Sequence, residues 1–315
     1  MGLKLNRRNL LFAGINIVAA PYLGGCASIS SQTNEGPAVA ITIDDFALGD
    51  TALLSGAARD AAILAALRRF DLSAAGFVAG KHIDNAKGAE VLRNWSDQGH
   101  IIGNHTYSHN YYGGRDPQAM IADILRCEAL LQPYAGFKKL FRFPYLAEGR
   151  TAEGRDAMRI LLAENGYQNA HVTIDTSDWY IDQRLKEKLA REPNTDLSPY
   201  RAFFLEHIWA RAQYYDGLAK LVFGHSIKHT ILLHHNLTTA LFLGDLLAMF
   251  RRNNWRLVNA ADAFAADEFK AVFSTIPSGQ SLVWAGAKEK NLSPDLRYPS
   301  EDSKYEKPRM DELGL

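Results

Sequence analysis

From Ala38 onward the chain alternates short β-rich runs with segments of helical periodicity, which points to βα units and a parallel sheet buried on both sides. The expected strands are Ala38–Ile43, Ala74–Val78, Ile101–Asn104, Leu140–Phe143, Ala170–Ile174, Thr230–Leu233 and Arg256–Val258. Helical patterns fall between most of them, at Ala57–Arg69, Glu90–Gln98, Gln118–Leu131, Thr151–Glu164 and Thr238–Arg252. Seven strands over residues 38–270 fit an α/β, barrel-like arrangement of parallel strands better than a short open sheet. Within the long interval 182–228, Phe203, Phe204, Ile208 and Leu218 approach helical spacing, so 200–222 reads as a helix packed on the barrel. The charged stretch before it, with Pro193 and Asn194, reads as a surface excursion. Residues 271–315 lose periodicity and read as a C-terminal extension without legible chemistry.

The first 27 residues are set apart. Lys4, Arg7 and Arg8 are the only charges before Glu35, and Leu10–Ala20 is uncharged and mostly apolar. That run is too short to span a bilayer but suits the apolar region of an export signal. Arg7-Arg8 followed by Asn9-Leu10-Leu11 resembles a twin-arginine signal, with an ordinary secretory signal as the alternative. Leu23-Gly24-Gly25-Cys26 resembles a lipobox, whose cysteine would carry a lipid anchor to the membrane; plain cleavage near Ala27 is the other reading. Residues 28–37 then form a polar linker, and the protein is expected to be exported, either periplasmic or membrane-anchored. With only Cys26 and Cys127 in the chain, no disulfide framework forms and cysteine ligation of a metal is excluded. Basic and acidic residues balance at 35 each and no basic stripe interleaves with aromatics, which excludes nucleic acid as a partner. The sequence carries no signal for oligomeric state.

Polar clusters follow the expected strand ends: Asp44-Asp45, His105 to His109, Arg142 to Tyr145, Asp175 to Trp179, and His234-His235-Asn236. In barrels of parallel strands such ends converge on one mouth. Two imidazoles and a carboxylate with open positions describe a catalytic zinc site. His105 and His109 are four residues apart, one helical turn, so both rings can face one ion. Asp44 and Asp45 are adjacent, and a turn after the strand would let one carboxylate bind metal while its neighbour acts as base. A divalent ion polarises a carbonyl and acidifies water, and His234 is placed to protonate a departing nitrogen.

In this order the clusters resemble the five motifs of the polysaccharide deacetylases of carbohydrate esterase family 4, the NodB-homology domain, over about residues 38–265. The resemblance implies a distorted (β/α)7 barrel as a single catalytic domain over residues 38–270, and one divalent ion, with zinc favoured, on Asp45, His105 and His109. It implies Asp44 as the base, Arg142 paired with it, and the Tyr145 amide beside the oxyanion. His234 would be the acid, Asp178 its support, and Trp179 the wall of the acetyl pocket. The implied activity is removal of acetyl groups from N-acetylated sugars of a cell-envelope or extracellular polysaccharide, with an acetylated glycan as substrate. Peptidoglycan, chitin-like oligomers and poly-N-acetylglucosamine all fit. Three positions depart from the family pattern: Phe46 where glycine is common, Phe143 where proline is frequent, and His235 where aspartate is often found.

Two other readings compete: the same site acting on O-acetyl esters or non-sugar amides, and a non-catalytic carbohydrate-binding protein on the same fold. Intact Asp44 and His234 argue against the latter. His225 to His229 also fits His-Ser-x-x-His but precedes a strand, at the opposite rim, and Lys228 disfavours a cation. His82, His100, His171 and His207 read as surface or packing residues.

Overall fold

The computed structural model describes residues 36–293 and 296–315. The expected export signal, Cys26 included, and nearly all of the expected linker lie outside the described residues.

The described chain forms strands β1 (Ala38–Asp45), β2 (Ala75–Val78), β3 (Ile101–Asn104), β4 (Phe137–Phe141), β5 (Ala147–Gly149), β6 (Gln168–Asn169), β7 (Lys228–His234), β8 (Arg256–Leu257) and β9 (Ser278–Gly279). Seven form one sheet in the order β6-β4-β3-β2-β1-β7, with β8 paired to the first residues of β1; β5 and β9 form a separate antiparallel pair. All pairings in the large sheet are parallel. Apolar residues fill β1 and the middle of β7 without alternation, as expected of strands covered on both faces.

The expected strand at 170–174 is not continuous. Residues 168–169 pair with β4, and farther along Ile174 alone bridges Ile231 of β7, so one segment touches both ends of the curled sheet. The ladder breaks because the Thr173 and Ile174 amides both donate to the Thr230 carbonyl, at 3.1 and 3.0 Å, while the Thr173 hydroxyl accepts from the Thr230 amide at 2.8 Å. A side chain replaces a rung, and the sheet closes irregularly. The fold is therefore α/β, a parallel sheet curled toward a distorted barrel.

Helices α1 (Gly56–Arg69), α2 (Gly80–Ile83), α3 (Ala86–Asp97), α4 (Pro117–Leu131), α5 (Ala152–Glu164), α6 (Asp178–Arg191), α7 (Ser198–Phe223), α8 (Leu237–Arg252), α9 (Ala260–Phe264), α10 (Leu282–Glu289) and α11 (Ser303–Glu312) connect and flank these strands. Their starts are written in the sequence: Ser55, Asn85, Asp116, Thr151, Asn236, Ser281 and Asp302 each accept a hydrogen bond from a first-turn amide. Gly224, at φ 85°, ends α7 in the left-handed conformation. The expected excursion before residue 200 is mostly helix. Ile181, Leu185 and Leu189 of α6 recur at four-residue spacing and are buried, a stripe narrow enough to be hidden among charged neighbours.

The C-terminal residues pack closely. Leu282, Val283 and Trp284 are buried, α10 lies against α7, and the Trp284 indole donates to the Arg297 carbonyl at 2.8 Å. None of the described helices is long and apolar enough to cross a membrane. Trp284→Ala should lower the unfolding free energy by about 3–5 kcal/mol in denaturant titration; a loss below about 1 kcal/mol would mean that this segment does not share the core.

Candidate active site

Arg142, one residue past β4, is 1% exposed and reaches across the barrel. Its Nη1 donates to Asp44 Oδ1 and to the Thr42 hydroxyl, both at 2.7 Å, and its Nε donates to the Ala170 carbonyl at 3.1 Å. The guanidinium lies 4.0 Å from the centre of the Phe77 ring. Burial pulls this guanidinium below its ordinary range, and the Asp44 carboxylate works against that pull. Its backbone holds a second group: His105 Nδ1 lies 2.8 Å from the Arg142 carbonyl. A carbonyl only accepts, so Nδ1 carries the proton and the Nε2 lone pair is left bare.

That Nε2 points at Asp45. It lies 3.5 Å from Asp45 Oδ1, and His109 Nε2 lies 3.0 Å from the same oxygen. Asp45 stands at φ 78°, a departure from strand geometry, and both its carboxylate and that of Asp44 lie near His105 Nε2, at 3.5 and 3.8 Å. Ligand atoms of Asp45, His105 and His109 all lie within 4.8 Å of one another, and Asp45 Oδ1 is a buried oxygen without a hydrogen-bond donor. A tetrahedral ion with ligands at about 2.0–2.1 Å separates its donor atoms by about 3.3 Å, so the spacing and donor set fit a divalent cation such as zinc.

The expected helical turn from His105 to His109 is instead a loop, with Thr106 at φ 65° and His109 at φ 55°. Side chains replace the helical bonds. Asn104 Oδ1 accepts from the Thr106 amide and the Thr106 hydroxyl from the His109 amide, at 2.9 and 2.8 Å. Asp123 on α4 takes both the amide and the hydroxyl of Ser108, each at 2.9 Å. Asp123 had no motif to mark it.

On the other side of the mouth, His234 ends β7. Its Nδ1 lies 2.7 Å from Asp178 Oδ1, while the His234 amide and Asn236 Nδ2 donate to Asp178 Oδ2, both at 2.9 Å. Asp178 is the first residue of α6 and fully buried. Burial would lower the His234 ring, but Asp178, with Asp45 and Asp44 behind it, pushes it up to about 10. Asp45, His234 and Trp179, 39% exposed, line one cleft of about 570 Å³. Tyr145 sits in a single 3-10 turn at φ 58°, ψ 18°, its ring exposed and 4.9 Å from that of His109, and the Tyr111 ring lies 6.0 Å beyond. The second His-Ser-x-x-His motif has no part here, since His229, at the start of β7, is buried against Asp216 at 3.3 Å.

A family model described as polysaccharide deacetylase matches residues 31–169, which hold Asp44, Asp45, His105, His109, Arg142 and Tyr145. Over those residues the chain is similar to the polysaccharide deacetylases. It is 27% identical over 213 residues to chitin deacetylase 1 of Saccharomyces cerevisiae, covering 66% of this chain and 61% of that protein. It is 28% identical over 118 residues to a peptidoglycan-N-acetylglucosamine deacetylase of Bacillus cereus, covering 37% of this chain and 40% of the other. The chain thus spans less than two thirds of the length of these curated relatives. Among solved structures, a polysaccharide deacetylase from Bacillus cereus superposes with a TM-score of 0.52 at 16% identity, over 76% of this chain and 96% of the other. A family 4 carbohydrate-esterase pseudoenzyme from Bacillus anthracis gives 0.51 at 14% identity, over 73% and 66%. At these identities the superpositions speak to the fold alone.

Two departures from the deacetylase pattern sit against each other. Phe46, at φ 59° and 1% exposed, stacks on His235 with ring centres 5.0 Å apart and meets Trp95 edge-on at 4.8 Å. It fits because position 76 is glycine; a Cβ there would come within 2.5 Å of the Phe46 ring. His235 Nε2 lies 3.1 Å from Asp60, which also accepts from the Trp95 indole at 2.7 Å. His234 therefore belongs to the mouth, and His235 to the packing behind the first loop. A double-mutant cycle of Phe46→Ala and His235→Ala in unfolding free energy should show coupling of at least about 0.5 kcal/mol; additive losses would mean the two substitutions are unrelated.

Proposed function

We propose that the protein is a metal-dependent hydrolase that removes acetyl groups from N-acetylated sugars of an envelope or extracellular polysaccharide. One observation carries the reading: Asp45 and His234 line one cleft, Asp45 grouped with His105 and His109 in an array that could hold a metal ion, Asp44 held by the buried Arg142, and His234 held by the buried Asp178. Since a structural neighbour is described as a pseudoenzyme, the fold by itself does not argue for catalysis; the complete residue set does.

A divalent ion bound by the trio supplies Lewis acidity toward the acetyl carbonyl and lowers the pKa of water. Asp44 takes the proton of the attacking water, with Arg142 fixing its orientation. The amide at Tyr145 donates toward the developing oxyanion. His234, its Nδ1 committed to Asp178, presents Nε2 to the departing nitrogen and delivers the proton that makes it a leaving amine. Trp179 walls the acetyl group, while exposed Tyr145 and Tyr111 offer faces to pyranose rings. Export directed by residues 1–27, with or without lipid at Cys26, would bring the enzyme to such polymers. The names of the relatives favour amide-linked acetyl groups over esters as the physiological target.

Acetate release from a panel of N- and O-acetylated glycans tests this. N-acetylated oligomers should yield acetate, chelator should abolish release, and added zinc should restore it. His234→Ala should lower turnover by about 10²–10⁴-fold with metal content intact, and His235→Ala much less. Full activity in metal-free protein, or a large loss confined to the His235 variant, would refute the proposal as drawn.

A further inference from the structure

Behind Asp178 lies a buried cluster to which the mechanism above assigns no role. His207 on α7, Glu306 on α11, Glu301 and Arg211 surround Ser177, the residue from which α6 begins, and all five are at most 8% exposed. The Ser177 amide donates to His207 Nε2 at 3.0 Å. An amide only donates, so Nε2 supplies the lone pair and Nδ1 bears the proton, which faces Glu306 Oε1 at 3.5 Å. His207, Glu301 and Glu306 bring ligand atoms within 4.8 Å of one another, yet both His207 nitrogens are already committed and Arg211 stands 2.6 Å from Glu301. The cluster holds its own cation and offers no imidazole lone pair to a metal.

What it does hold is the Ser177 peptide. Ser177 has φ −93° and ψ 33°, and its side chain makes no cap bond to the helix. The hydrogen bond from its amide to His207 thus restrains the Thr176–Ser177 peptide, one residue ahead of Asp178, whose carboxylate must meet the His234 ring at 2.7 Å. We propose that His207 and Glu306 are positioning residues for the acid: through Ser177 they fix Asp178, and through Asp178 the direction of His234. The C-terminal helix α11 would then be part of the catalytic apparatus. His207 and Glu306 lie outside the residues matched by the family model. The inference rests on the deacetylase reading, in which His234 protonates the leaving nitrogen.

That dependence gives a selective readout. An amide needs its nitrogen protonated as the C–N bond breaks, whereas 4-nitrophenyl acetate expels a stable phenolate unaided. Kinetics of His207→Leu and Glu306→Ala would be measured on that ester and on the N-acetylated oligomer that the unaltered protein hydrolyses fastest. Each variant should lose kcat on the oligomer by about 10-fold or more, since misplacement of about 1 Å costs up to about 10²-fold. KM, bound metal and turnover of the aryl ester should stay within about twofold. His207→Gln, whose side-chain oxygen can accept the Ser177 amide, should recover most of the oligomer activity. Equal losses on both substrates, or no loss on the oligomer, would overturn the positioning role alone. If His207→Leu does not fold, Glu306→Ala and His207→Gln carry the comparison. An unaltered protein that releases no acetate from any oligomer would overturn the deacetylase reading, and this inference with it.

Discussion

The site depends on one buried side chain. A guanidinium taken out of water costs several kcal/mol unless it is paired and hydrogen-bonded. Arg142 meets that condition with the Asp44 carboxylate, the Thr42 hydroxyl, the Ala170 carbonyl and the face of Phe77. These partners come from β1, β2 and the segment that closes the sheet, while the arginine's own carbonyl fixes the tautomer of His105. Barrel geometry and ligand geometry are therefore one requirement. A curl that moved β1 away from β4 would strand the charge and release Asp44.

Around this centre the backbone departs from regular structure. Ten non-glycine residues among those described have positive φ, and six of them, Asp45, Phe46, Thr106, His109, Tyr145 and Leu146, surround the mouth. Each such residue costs on the order of 1 kcal/mol or more and persists where its surroundings over-determine it. Here the surroundings can be named: the Asn104 and Asp123 side chains pin the histidine loop, and Arg59 donates to the Ala47 and Gly49 carbonyls behind the first loop. The strain serves a geometric end. At Asp45 it lets two consecutive carboxylates face different partners, which a regular strand would also separate but would aim at opposite faces of the sheet.

Much of this was legible in the sequence. Unbroken apolar runs ending in polar clusters gave the strand positions and put the candidate site at one rim. Asp44, Asp45, His105, His109, Arg142 and His234 could be singled out because each lies at or just beyond such an end. What escaped had no local signature. Ala170–Ile174 reads as a strand by composition, yet its ladder is interrupted by the Thr173 hydroxyl, a long-range choice. The histidine spacing suited a helical turn, but side-chain bonds from Asn104 and Asp123 settled it as a loop. Helix α6 hid its apolar stripe among charges. The residues behind Asp178 come from α7 and the C-terminal segment, 99 positions apart at the extremes of His207 and Glu306, and only the fold brings them together. Phe46 and His235 looked like separate departures until the stacked rings showed them to be one.

The division of labour between the adjacent aspartates is the centre of the account, and it can be measured directly. Asp44→Asn and Asp45→Asn would each be purified, assayed for bound divalent metal, and tested for acetate release from the preferred oligomer after reconstitution with zinc. Asp44→Asn should keep its metal and lose most turnover, because a base is removed while the ligands stay. Asp45→Asn should bind metal poorly and lose activity for that reason. Metal lost from the Asp44 variant and retained in the Asp45 variant would contradict the assignment of both residues.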